Sequence, residues 1–193
     1  MTDWLQSPYL ILFARLTLGG IFLFGAIGKW LDPAGSQAAV TQRTWIPAPL
    51  AQIGGRLLPF VEAAVGALLV LGLGLGLVAL LALVMLVGFT ITVLADLAGG
   101  QAMPCHCFGS FSRENVSPWS VARNVSLGAL AALVAWHPLP YLALDGLLGA
   151  NAGGALPPAV NAVPVVFLAL ITVVAIVLGS LLVQTVRAFL RAF

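Results

Sequence analysis

Charged side chains make up only 7% of the 193 residues, and cysteine occurs twice. The first scarcity excludes an ordinary soluble domain, in which about a quarter of residues are charged. The second excludes a small fold stapled by several disulfides. Lys and Arg form no cluster interleaved with aromatics, and the net charge is only +2, so nothing suits a nucleic-acid partner. Residues 1–7 carry Asp3 and no basic cluster, and the apolar run after them is too long for a cleaved leader, so it reads as a retained helix.

What is abundant is apolar surface, with 61% hydrophobic residues and a mean hydropathy of +1.10. Such a chain belongs in a lipid bilayer, and its backbone must then be helical to satisfy its own hydrogen bonds. The expected fold class is all-α, a polytopic transmembrane bundle forming a single membrane domain over residues 1–193. Helices are expected at about 8–30, 57–72, 77–98, 118–136 and 164–186. The first is long enough to cross a roughly 30 Å hydrocarbon core. The apolar run 57–98 is about twice that length, so it must turn, and Gly72-Leu73-Gly74-Leu75-Gly76 is the evident place. Pro59 then falls in the first turn of the second helix. Residues 31–56 read as a polar loop with one short helix capped by Ser36. Ser117-Pro118 opens the fourth helix as cap and first-turn proline. In the Pro- and Gly-rich stretch 137–163, residues 139–148 are expected to lie in the membrane interface with Tyr141 as an anchor.

The two cysteines stand one residue apart, in Met103-Pro104-Cys105-His106-Cys107-Phe108-Gly109, within a polar gap between apolar runs. A Cys-x-Cys disulfide closes a very small ring, so it is expected to be strained and readily reduced, which suits exchange rather than stapling. His106, when protonated, and Arg113 favour the thiolate, the form that attacks disulfides. Cys105, Cys107 and His106 are therefore the candidate catalytic residues. Zinc needs four ligands where this segment offers at most three, so no metal site is assigned. Two thiolates do satisfy Cu(I) or Hg(II), and binding or transport of a soft metal stands as the alternative. The residues call for no cofactor.

Ionisable residues inside apolar segments are functional candidates by default, and here they are Arg15, Glu62, Asp96 and Arg123. Glu62 and Arg123 are expected about one turn inside the cysteine end, where they pair or flank the thiols; Asp96 and Arg123 otherwise pair within the bundle. Arg15 has Glu62 as its one carboxylate within reach, or else faces a cavity. Five crossings gather Lys29, Arg43, Arg56, Arg113, Arg123, Arg187 and Arg191 at the cysteine side. The positive-inside rule makes that side cytoplasmic, in a multi-pass protein of the inner membrane; the alternative is that several of these basic groups belong to a redox site and inflate the count. Lys29 with Trp30 is expected to mark the interface there by snorkelling.

Taken together, Arg15, Gly19-Gly20, Lys29-Trp30-Leu31-Asp32-Pro33, Pro59-Phe60-Val61-Glu62, Cys105-His106-Cys107-Phe108-Gly109 and Arg123-Asn124 resemble the methylamine-utilisation protein MauE and related DoxX-like redox-associated membrane proteins. The likeness spans roughly residues 10–135, and Cys-x-Cys-Phe-Gly after an apolar helix is its most specific part. It implies a four-helix core with a fifth, C-terminal transmembrane helix added here. It also implies thiol–disulfide exchange with a thioredoxin-like partner or client, in support of the maturation of exported proteins. Arg15, Lys29, Glu62, Phe108, Gly109, Arg123 and Asn124 become the supporting residues. The oligomeric state is not legible.

Overall fold

The computed structural model describes residues 7–43, 46–99, 118–139, 141–147 and 162–191. Among them every regular element is helical: α1 (Pro8–Leu31), α2 (Pro33–Thr41), α3 (Ala48–Leu71), α4 (Leu75–Ala98), α5 (Pro118–Trp136), the single turn α6 (Leu144–Leu147) and α7 (Val163–Arg191). Four are long and apolar enough to cross a bilayer, namely α1, α3, α4 and Val163–Leu182 of α7. The chain is thus a multi-pass membrane protein. The fourth expected crossing, α5, is 19 residues long and carries Arg123 and Asn124, and it is not among those four.

α1 is the central helix, packed along α3 and α7 and touching α5, while α4 packs chiefly along α5. The core joins Leu18, Phe22, Val65, Leu69, Ala79, Leu86, Leu127 and Val134. α1 and α3 meet through glycines: a Cβ added at Gly19 would lie 2.9 Å from Gly66 O, and one added at Gly66 would lie 2.9 Å from Gly19 O. The α3–α4 turn is where expected. Gly72 ends α3 at φ +74°, its amide donating to Leu68 O at 2.8 Å, a left-handed cap that favours glycine.

Three local expectations are corrected. α3 begins at Ala48 and not near residue 57, so Pro59 is a buried residue of the helix interior and Glu62 lies about four turns inside rather than one. Gly54 and Gly55 belong to this helix, and Gly55 lets it pass close to Gln37 of α2. The short helix of the first connection exists, but Asp32 caps it by accepting from Gly35 N at 2.9 Å, whereas Ser36 is buried within it. Tyr141 is no interfacial anchor: it is 2% exposed and sets its ring edge-on to Tyr9, with centroids 5.6 Å apart.

Candidate functional site

The chain runs so that one end of the bundle collects the C-termini of α1 and α4 and the N-termini of α3 and α5. Val93 and Leu97 of α4 pack with Val121 of α5 there. At that end Lys29 comes off the last turn of α1. Its stem is buried, because α2 and the first half of α3 extend past it, and its Nζ meets Glu62 Oε1 and Oε2 at 2.9 and 2.8 Å. Both side chains are almost wholly buried, at 6% and 3% exposure. Lys29 therefore does not snorkel, and the Phe89 ring lies 6.0 Å from its Nζ.

A second buried pair sits beside the first. Arg43, just past the end of α2, donates through Nε to Asp96 Oδ1 and Oδ2 at 3.3 and 3.1 Å and through Nη2 to Oδ2 at 2.7 Å, and through Nη1 to Ala39 O. Asp96 pairs with Arg43, where the sequence offered Arg123. Sequence reasoning missed Arg43 as a site residue, treating it as a loop charge. Its one signal is the helical spacing of Ser36, Ala39, Val40 and Arg43, which marks a single face of α2.

Arg123 and Asn124, both buried on α5, join Glu62, Phe22 and Phe89 around a cavity of about 30 Å³, room for about one water. Asn124 Nδ2 finds no hydrogen-bond partner among the described residues. The structure thus gathers Lys29, Glu62, Arg123 and Asn124. It separates Arg15, which sits at the opposite end and donates to Tyr141 O at 3.3 Å and Leu142 O at 2.8 Å, so neither Glu62 nor a cavity is its partner. Cys105, His106, Cys107, Phe108 and Gly109 lie outside the described residues. In the sequence they fall between Gly99, which follows α4, and Pro118, which begins α5.

Outward from the pairs, a cleft of about 380 Å³ lies between the first half of α3 and the second half of α4, with α2 and Lys29 at its floor. Among the described residues no three His, Cys, Asp or Glu side chains converge as a metal site.

A family model described as "Methylamine utilisation protein MauE" matches residues 7–137. No curated protein and no solved structure matches the chain.

Proposed function

Since the chain belongs to the MauE family of methylamine-utilisation proteins, we propose that it is a membrane thiol–disulfide exchanger working through Cys105 and Cys107. The observation that carries this reading is that the only two cysteines stand one residue apart in the connection between α4 and α5. A pair so spaced forms a strained, easily opened ring, and either thiol is positioned to resolve an intermediate made by the other. The thiolate of one cysteine attacks a disulfide of a thioredoxin-like protein, forming a mixed disulfide and expelling that protein's second thiolate. The other cysteine then displaces the partner, which leaves fully reduced as the Cys105–Cys107 bond closes. In that direction the chain delivers reducing equivalents; run in reverse, the Cys105–Cys107 disulfide oxidises the partner's dithiol and the chain's pair is left reduced. His106 favours the thiolate, and Phe108 and Gly109 shape the exit of the segment. Glu62, Lys29, Arg123 and Asn124 are the supporting residues of this reading, gathered at the end of the bundle where α4 stops and α5 starts. The setting is the inner membrane, and the service is maturation of an exported client.

Single Cys→Ser variants test the reading. Loss of the resolving thiol should trap a covalent complex with a thioredoxin-like protein that reductant releases. Absence of a trapped complex from Cys105→Ser and Cys107→Ser alike sinks it. Stoichiometric Cu(I) or Hg(II) held by the parent and lost in both variants would then establish the soft-metal reading.

A further inference from the structure

The cleft between α3 and α4 has a composition that the exchange reaction does not explain. Its walls are apolar and open outward, with Leu50 63% exposed and Met85, Phe89 and Val93 opposite. Its floor is polar yet neutral, because Lys29 is matched by Glu62 and Arg43 by Asp96. Ser36 also lines the floor at 6% exposure, and its hydroxyl meets no hydrogen-bond partner among the described residues. A buried hydroxyl without a partner is costly, so the site is built to have one. The open volume is held by glycine on both walls: a Cβ added at Gly54 or at Gly88 would meet nothing within 4 Å.

We infer that this cleft binds a membrane-dissolved quinone, its ring at the floor with a carbonyl accepting from Ser36 and its hydrocarbon tail leaving between α3 and α4. The volume falls within the usual range of about 300–1,000 Å³ for small-molecule sites. An anionic lipid head group fits poorly, because both cations already have carboxylates and further negative charge would face Glu62 and Asp96. The choice of a redox-active head group rests on the exchange reading. One cysteine pair holds one pair of electrons, so a chain that oxidises partners needs a two-electron acceptor, and a quinone is one that dissolves in hydrocarbon. The balance closes: two thiols lose two electrons and two protons as the sulfur–sulfur bond forms, and the quinone takes up both pairs to become the quinol.

The test uses the full chain in lipid nanodiscs and a benzoquinone with a decyl tail as probe. Binding should be saturable and unchanged when both cysteines are replaced by serine. Gly88→Leu and Gly54→Leu, which fill open space and leave the melting temperature unchanged, should weaken it by at least about tenfold. Ser36→Ala should weaken it several-fold. Non-saturable uptake, indifference to both leucines, or displacement by a diacylglycerol of equal tail length at equal concentration would each overturn the inference. Thiol titration on the same samples keeps the two readings apart. Saturable binding without oxidation of Cys105 and Cys107 upholds the cleft and counts against the exchange reading. Oxidation by the probe that persists in Gly88→Leu upholds exchange and removes the cleft.

Discussion

Lys29 and Glu62 lie 33 residues apart and on different helices, yet Nζ holds both carboxylate oxygens at 2.9 and 2.8 Å in a setting nearly closed to solvent. Neither charge has water to fall back on. Such a pair adds little net stability over an apolar substitute, but loss of one partner strands the other.

Glu62→Leu alone should therefore cost about 3–5 kcal/mol, whereas Lys29→Met with Glu62→Leu should lie near the parent or above it. Reversible unfolding in mixed micelles, followed by circular dichroism, gives both values. A mild single variant would mean that Lys29 escapes to solvent and that the pair does not fix the packing of α1 on α3.

Arg43 and Asp96 tie the end of α2 to the last turns of α4 through three side-chain hydrogen bonds. Asp96→Asn leaves the guanidinium buried against an uncharged amide, and α2 should loosen before the rest of the bundle. Hydrogen exchange of the α2 amides should accelerate at least about tenfold while those of α5 hold their rates, which corresponds to a local loss of about 1.4 kcal/mol. Equal acceleration everywhere would show that the pair governs global stability instead.

Arg15 satisfies two carbonyls at once, Tyr141 O and Leu142 O, with two different nitrogens. Lysine brings a single ammonium in place of that fork, so Arg15→Lys should lose one of the two bonds, about 1.5–3 kcal/mol. The α3–α4 turn should respond too, since Gly72 lies against Arg15 and Ala143. Limited proteolysis within residues 141–147 reports the change; unaltered cleavage would show that Arg15 does not hold this strap.

The basic residues Arg56, Arg113, Arg187 and Arg191 motivate the proposal that Cys105 and Cys107 face the cytoplasm. On that proposal a membrane-impermeant maleimide added to intact cells should leave both, when reduced, unlabelled. Labelling from outside, with a cytoplasmic control thiol untouched, inverts the topology.

Much of the fold could be read from the chain because hydropathy and helix punctuation agree. Pro8 and Pro118 sit at the helix starts they signal, and the glycines at 72 and 74 take positive φ where the long apolar run turns. The start of α3 was hidden by Pro49, Gln52, Gly54, Gly55 and Arg56, a local composition that reads as loop. Contact with α2 overrides it, since Gly55 lets the backbone of Gln37 come close, and buried Pro59 is carried by the same packing. Of the site, Lys29, Glu62, Arg123 and Asn124 were legible as candidates. Their pairing was not: Arg43 and Asp96 stand 53 residues apart, and no local rule connects them. The same limit hid the acceptors of Arg15, because a backbone carbonyl leaves no mark in the side-chain sequence.

That last contact also bears on biogenesis. Arg15 emerges early in synthesis, but the carbonyl of Leu142 follows 127 residues later, a delay of roughly 6–25 s at 5–20 residues per second. Through that interval the first helix holds a cation that the nascent bundle does not yet neutralise with its own backbone. The translocon, lipid phosphates or water must shelter it until the segment after α5 arrives. Insertion of α1 is thus expected to stay reversible until the ribosome has passed Leu142, and a stalled chain ending before that residue should be the preferred substrate of membrane quality-control proteases.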